Sequence, residues 1–433
     1  MSKDASVSEI TPQSLAVVAS TLVGSMFSGG LIAMTVIAVF MAPIARDYGW
    51  SHGAIGAATA LLYLGMAISA PVFGKIVDRR GPRIVLLPLT LLSGLLLTSF
   101  SLIGASLWLF YAAYLLLGIS QPGTVTHSKL ISTWFFRHRG MALTAMGVGG
   151  FATQFALPPV ARWLMQQIGW QHAYLAFGAA EVLIALPFLF MFFRERRAPA
   201  GDILGSGIVS SAEVHPDGAP HIGVWQAMRG RTYWLLVLAQ VGTLFAFLGI
   251  STHGVEILRE RGIDSATAVW GLSSFAFGGL IAQILTGYLL DKIDTPRVIA
   301  PFAMISFASL LSVQFGHSIP VILSSLFLFG FGCAACGPIT YFTSRFFGVR
   351  NLSTIYGSLF PVTLLLAAPA PAVMGVIFDA THSYQVAMVL ADGAILLSIA
   401  FFLLLEPYPY PVKDAGLARA PSGVTDGELI ASR

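Results

Sequence analysis

The sequence predicts an all-α membrane protein of twelve transmembrane helices, arranged as two pseudo-symmetric bundles of six. Three observations predict it. Hydrophobic residues make up 56% of the 433 and charged residues only 10%, against about 25% charged in a typical soluble domain. With a mean hydropathy of +0.79, there is too little polar side chain to cover a water-facing surface, so lipid is the solvent for most of the chain. Apolar runs of about 20 residues, hydrophobic all round, have the length of helical spans rather than of the alternating strands of a membrane barrel. Finally, two charged loops about 213 residues apart, Gly74 to Arg83 and Gly287 to Arg297, each close an apolar run with an acid and several bases.

Breaking the apolar runs at charge gives spans at 15–43, 53–77, 84–104, 107–133, 141–166, 172–193, 232–256, 266–289, 298–316, 319–344, 352–378 and 384–405. The first six form one bundle, 15–193, and the last six a second, 232–405. Residues 194–231, with Gly201, Gly205, Gly207, Pro216, Gly218 and Pro220, read as a flexible linker. Residues 1–14 are a polar tail without the basic start and cleavage site of a signal peptide. Residues 406–433 are a second tail, expected to be disordered. Placing both termini and the linker in the cytoplasm puts 19 of the 24 Lys and Arg on that side. Arg46, Arg162, Arg259 and Arg261 fall on or near the other side, and Lys129 within span four. This asymmetry fixes the topology and points to a multi-pass protein of the cell (inner or plasma) membrane.

The repeat extends past the charged loops. Trp134-Phe135-Phe136-Arg137-His138-Arg139 follows span four, and Arg345-Phe346-Phe347-Gly348-Val349-Arg350 follows span ten, 211 residues later; Glu181 and Asp392 are also 211 apart. Six spans plus six, with Asp/Arg hairpins after spans two and eight, resemble the major facilitator superfamily over residues 15–405. The resemblance implies a secondary active transporter working by alternating access, two halves rocking about one central site. It implies that Asp78 pairs with Arg83 and with groups at the end of span eleven to latch the outward-facing state. Gly74, Arg79 and Gly81 shape that loop, and Asp291, Lys292 and Arg297 repeat it less completely, with Asp294 near the position of Gly81.

Three patches resemble the monocarboxylate and oxalate–formate branch: Val39-Phe40 to Pro43 with Gly49-Trp50-Ser51; Trp134 to Ala142 leading into Gly147-x-Gly149-Gly150; and Arg345 to Gly348 with Tyr356-Gly357. That branch implies a small organic acid as cargo, with proton symport. The departures fall where the charge would be held. Thr35 stands where relatives carry a Lys in span one; Gln283 and Gly279 stand where they carry an Arg and an Asp in span eight. Either the charge of the substrate is met elsewhere or the substrate is neutral or zwitterionic. The alternative is therefore a carrier or exporter of a neutral or amphipathic small molecule.

The remaining polar residues inside the membrane each need a reason, because a charge there costs about 2.5–3.5 kcal/mol even on lenient scales. Thr35, Gln121, Gln154, Arg162, Gln283 and Tyr341 are the candidate substrate-binding residues, with Gln240 and Thr340 as further wall positions; Arg162 either snorkels or replaces the missing cation. His127, His253 and Glu256 are the candidate proton-coupling residues. His253 and Glu256 are one helical turn apart and can pair, the plainer reading being an ion pair of Glu256 with Arg259. Lys129 either snorkels or attracts anions. Glu181 and Asp392 are expected to be protonated or hydrogen-bonded within their own halves. Pro361, Pro369, Pro371 and Gly375 predict a bend in span eleven.

Cys333 and Cys336 read as small packing residues, with no metal site or cofactor expected. No basic patch interleaved with aromatics suggests nucleic acid, and no nucleophile constellation or phosphate loop suggests an enzyme. A solute receptor would need a sizeable output domain, which neither the tail nor the linker supplies. The expected partners are a small-molecule substrate, protons and membrane lipid, in a monomer.

Overall fold

A computed structural model describes residues 11–121, 123–135, 139–194, 223–293, 295–316, 318–335, 339–347 and 352–408. The side chains of Asp78, Asp291, Lys292 and Thr340 lie outside the described residues, as do Arg137, Asp294, Cys336, Arg350, most of the linker, and the tails beyond 11 and 408.

Twelve passes follow one another. Span one is α1 (Pro12–Met26) and α2 (Gly29–Tyr48); spans two and three are α3 (His52–Arg80) and α4 (Pro82–Ser99); span four is α5 (Leu107–Ile119) and α6 (Gly123–Trp134). The helix α7 (Arg139–Ala180) supplies span five and, after a turn at Gly169, the start of span six, which a π-helical turn (Glu181–Ala185) and α8 (Leu186–Phe192) complete. A short α9 (Val224–Arg229) leads into span seven, α10 (Arg231–Glu260), and span eight, α11 (Ser265–Lys292). Span nine is a 3₁₀ turn (Pro296–Ile299) with α12 (Ala300–Phe315). Span ten is α13 (Ile319–Ala335) and α14 (Ile339–Phe347), span eleven α15 (Leu352–Ala367) and α16 (Ala370–Thr381), and span twelve α17 (Gln385–Leu403). No strand occurs among the described residues. The end carrying the Gly74–Arg83 loop is called the basic end below, and the other the far end.

The twelve expected spans are present, but spans one, four and eleven are each interrupted within the described residues. Two of the breaks have a plain local chemistry. Span one carries Ser25, Ser28, Gly29 and Gly30 at mid-length, poor helix formers at which long helices kink, and it breaks at Phe27–Ser28. Span eleven breaks before Ala370, where Pro369 and Pro371 remove two backbone donors. Two tight reversals need glycine: Gly81, between α3 and α4, has φ +87°, and Gly169, between spans five and six, +79°.

The packing inverts that of a soluble protein. Leu95, Leu183, Ile284 and Leu397 stand exposed on the outer surface, where lipid covers them, while the interior is held by close helix contact. Gly278 on α11 meets the Phe327 carbonyl of α13, and Gly330 on α13 meets the Phe275 carbonyl of α11, so neither position has room for a Cβ. Small residues at such crossings let backbones approach where no hydrophobic drive between helices operates. The first half adds an aromatic core: Phe40 and Phe100 flank Tyr174 at ring distances of 5.2 and 4.7 Å, and the Tyr114 and Tyr174 hydroxyls lie 3.0 Å apart.

Overpacking of this kind costs about 1–3 kcal/mol or more. Gly278→Leu and Gly330→Leu are therefore expected to lower the melting temperature in detergent. Gly393→Ala, whose Cβ would meet open space, is expected to leave it unchanged. A Gly278→Leu protein melting like the wild type would contradict the backbone contact.

Candidate functional site

At mid-depth on the seam between the bundles, α2 and α7 of the first half face α10 and α11 of the second. Met34, Thr35 and Gln154 on one side, and Ser251, Leu272, Phe275 and Ala276 on the other, line a cleft of about 230 Å3 counting its open mouth. The enclosed space within it is only about 10 Å3, roughly what a single water needs, so the cleft is nearly shut in this arrangement and must widen to admit a solute. The Thr35 hydroxyl donates to the Leu31 carbonyl (2.8 Å) and the Ser251 hydroxyl to the Leu248 carbonyl (3.0 Å). Each hydroxyl has one proton, so with it committed to the helix these oxygens offer the cleft acceptor lone pairs. The half-buried Gln154 amide makes no hydrogen bond among the described residues, leaving both a donor and an acceptor available. No charged side chain lines the cleft among the described residues.

Above the cleft the far end is closed by α3 against α16. The Asp379 carboxylate accepts the backbone N–H of His52 (3.0 Å) and of Gly53 (2.8 Å), at the N-terminus of α3. This is the favourable place for an anion, because the amides there point outward unpaired and the helix dipole is positive. The His52 Nδ1 lies 3.8 Å from the same carboxylate. Glycines bring the two backbones together: Gly56 meets the Pro371 carbonyl, and Gly375 meets the backbone of His52 and Gly53. Behind this contact the rings of Phe378 and Tyr384 stack 4.4 Å apart, with the His52 ring 4.5 Å from Phe378. His253 reaches the same cluster from α10. Its Nε2 donates to the Pro371 carbonyl (2.8 Å), and its Nδ1 meets the Tyr384 hydroxyl (2.9 Å). A carbonyl only accepts, so the network assigns the proton to Nε2.

The other predicted residues are dispersed. Gln121 sits at the break in span four and accepts from the Ser28 hydroxyl at 2.5 Å. Gln283 packs against Gly147, across α11 and α7, seven residues (about 10 Å along a helix) toward the basic end from Ala276. Arg162 is half-buried eight residues beyond Gln154, about 12 Å toward the far end. There it faces Asp264, whose carboxyl is held below its usual range by the Thr267 hydroxyl and nearby backbone amides, with the Arg162 charge contributing. Tyr341 is half-buried on α14 near the Phe342 and Tyr408 rings. Gln240 is buried on α10.

His127 is buried against Phe193 and Gly24, and Lys129 is half-buried. The pairing of His253 with Glu256 does not form: Glu256 pairs with Arg259 at 3.1 Å. Glu181 is bonded within the first half, to Ser93 and Gly29, and Asp392 within the second, to Gln314 at 2.5 Å. At the basic end, Gly74 faces open space, Arg79 and Arg297 are exposed, and Arg83 donates to the Phe190 carbonyl (2.7 Å) while lying over the Phe190 ring.

Ser251, Phe275, His52 and Asp379 were not singled out by the sequence. The spacings Gly53-x-x-Gly56 and Gly375-x-x-x-Asp379, small residues facing a close partner, were the available signal for the last two.

The sequence profile of the Major Facilitator Superfamily matches residues 21–360 and 253–433. An uncharacterised transporter of Bacillus subtilis (strain 168) is 26% identical over 374 residues, 84% of this chain and 87% of the relative. A probable L-galactonate transporter of Escherichia coli (strain K12) is 22% identical, covering 86% of this chain and 85% of the relative. A 4-hydroxybenzoate transporter of Acinetobacter baylyi is 25% identical over 69% of this chain and 70% of the relative. Among solved structures, a bacterial homologue of the human lysosomal transporter Spinster, inward-facing and unoccupied, superposes with a TM-score of 0.70 at 17% identity, covering 91% of this chain and 97% of that one; this likeness is one of fold.

Removing a carboxylate from a helix N-terminus costs up to about 2 kcal/mol, a factor of roughly 5–30 in an equilibrium. In a Cys333→Ala, Cys336→Ala background, Asp379→Ala is expected to speed labelling of Thr35→Cys by an impermeant thiol reagent applied at the far end. An unchanged labelling rate would show that the Asp379 contact does not hold the far end shut.

Proposed function

Because the chain belongs to the Major Facilitator Superfamily, we propose that it is a secondary active transporter of a small hydroxylated organic acid, working by alternating access with proton symport. The observation that carries the substrate class is the neutral polar set of the cleft. Acceptor oxygens at Thr35 and Ser251 call for a solute that brings its own hydroxyl donors. The Gln154 amide can donate to a carboxylate or carbonyl oxygen, and Met34, Leu272 and Phe275 supply an apolar floor. Relatives named for L-galactonate, galactarate/D-glucarate, 4-hydroxybenzoate and gallate carry solutes of this description, which supports the reading. Gln283, Gln121, Tyr341 and Arg162 lie outside the cleft in this arrangement. Of these, Gln283, on the same helix as Ala276, can join the site as the cleft opens toward the basic end.

Proton coupling follows from charge. A monoanion entering against a negative-inside potential is opposed by about 2.3 kcal/mol per 100 mV, and one accompanying proton cancels that. His127, His253 and Glu256 are the sequence's candidates for it. His253 has both nitrogens engaged at the far-end closure and Glu256 is paired with Arg259, which leaves them better suited to holding the gate.

In this reading the basic end is cytoplasmic, with both termini and the 194–231 linker on that side of the cell membrane, and the protein acts as a monomer. The arrangement described above is then the one closed to the outside. Asp78 and Arg83, repeated by Asp291, Lys292 and Arg297, form the opposing latch when the basic end closes.

The test is counterflow in proteoliposomes with labelled galactonate, glucarate, 4-hydroxybenzoate and gallate, with and without an inward proton gradient. Exchange of at least one acid, accelerated into net uptake by the gradient, is expected. Exchange of none, with exchange of an uncharged amphipathic solute instead, would favour the carrier of neutral molecules.

Each cleft hydrogen bond is worth about 0.5–1.5 kcal/mol. Thr35→Ala, Gln154→Ala and Ser251→Ala are thus each expected to raise the half-saturating concentration roughly two- to tenfold, with little change in melting temperature. Three variants with wild-type saturation curves would move the site elsewhere.

A further inference from the structure

Three irregularities of the first half meet at one place. The break in span one lies between Met26 and Gly29, that in span four beside Gln121, and the π-helical turn of span six begins at Glu181; Thr153 of α7 reaches the first of them. The broken ends are tied to side chains of the other spans. The Thr153 hydroxyl shares its proton between the Met26 carbonyl and the Gly149 carbonyl of its own helix (3.1 Å each), Ser28 donates to Gln121 (2.5 Å), and the Gly29 N–H, at the start of α2, donates to Glu181 Oε1 (3.2 Å). Ser93 of α4 donates to the same oxygen. Glu181 is 1% exposed, and its Oε2, aimed at the Gly29 Cα where a Cβ would lie 2.6 Å away, has no hydrogen-bond partner among the described residues.

Each protonation state of this carboxyl leaves one group unsatisfied. As a carboxylate it suits the two donors and the positive N-terminus of α2, but a buried charge is left with a bare second oxygen. As an acid it removes the charge but leaves an O–H without an acceptor. No other charged group among the described residues meets it from the packed elements. On α2, Arg46 and Asp47 pair with each other near the far end. On α4, Arg83 is bonded to Phe190 at the basic end; on α7, Arg162 faces Asp264 at the far end; α8 carries none. On α6, His127 packs against Phe193 and Gly24, and Lys129 follows it toward the basic end. A π-turn at this position, of the kind often found at functional sites, supplies slack in the helix that presents the carboxyl.

We infer that Glu181 is the proton-binding group of this carrier. A proton from water adds to the bare Oε2, turning carboxylate into carboxylic acid, and leaves from the same oxygen when the opposite face is open. The change weakens the hold on the first amide of α2, the rigid helix that carries Thr35 into the cleft six residues further on, so the proton and the solute bias the same element. This rests on the reading of the chain as a proton-coupled acid carrier, and it moves the proton away from the solute cleft into the first half.

The test uses the full reconstituted chain. Infrared difference spectra across pH, without solute, are expected to show a protonated-carboxyl C=O band that titrates in the wild type and is lost in Glu181→Gln; an unaltered band in that variant overturns the inference. In vesicles, with whichever of galactonate, glucarate, 4-hydroxybenzoate or gallate exchanges, Glu181→Gln is expected to keep exchange and lose gradient-driven accumulation. Accumulation equal to the wild type also overturns it. If the wild type exchanges none of the four acids, the transport reading falls and the infrared result alone decides on Glu181. Should Glu181→Gln fail to fold, Ser93→Ala serves. Losing a donor to the carboxylate moves the titration midpoint to higher pH, whereas a purely structural Ser93 would alter yield and leave the midpoint in place.

Discussion

In the hydrocarbon of a bilayer, a backbone N–H or C=O freed by an interruption of a span must find its partner in protein or in a water-lined cavity. The rest of this structure depends on that constraint. The break in span one leaves a carbonyl at Met26 and an amide at Gly29, and Thr153 and Glu181 answer them. Breaks are therefore not slack. They are the points where helices that are otherwise joined by apolar packing become joined by specific polar contacts, and two of the buried ionisable side chains, Glu181 and His253, meet them.

The same constraint governs the seam between halves. Two bundles that move against each other cannot interlock through large side chains along their whole length. At the far end the contact is made by glycine faces, Gly53 and Gly56 against Pro371 and Gly375, and by the Asp379 carboxylate on the first amides of α3. Contacts of this kind are short-range and few. At about one or two kcal/mol each, they are weak enough to be exchanged for another set, as the proposed alternating access requires. The cleft sits just below, with Ser251 two residues from His253, so a solute bound there is adjacent to the closure it must work with.

Much of this was legible in the sequence. Composition and run length require the spans, the doubled loops point to the two halves, and the resemblance aligned on Val39-Phe40 singles out Thr35, which lines the cleft with Gln154. The missing cations at Thr35, Gly279 and Gln283 point to a neutral polar site. What the sequence left dark is tertiary. Asp379 and His52 are 327 residues apart, and no local pattern announces a carboxylate that will meet a helix start from another bundle. His253 and Glu256 have the spacing of a pair, but Glu256 has the same spacing to Arg259, and the histidine nitrogens are taken by Pro371 and Tyr384. Spin of the helix about its axis, which decides such contests, is fixed by packing.

The central claim is that two rigid halves exchange closure at one end for closure at the other around the Thr35–Ser251 cleft. Distances between paired spin labels measure it most directly, one pair at Arg46 and Thr381 for the far end and one at Arg79 and Thr354 for the basic end, all exposed positions. On adding a transported acid with a proton gradient, one distance distribution should shift to longer values while the other shifts to shorter ones. Two distributions that lengthen together, or that stay fixed during measured transport, would contradict the account.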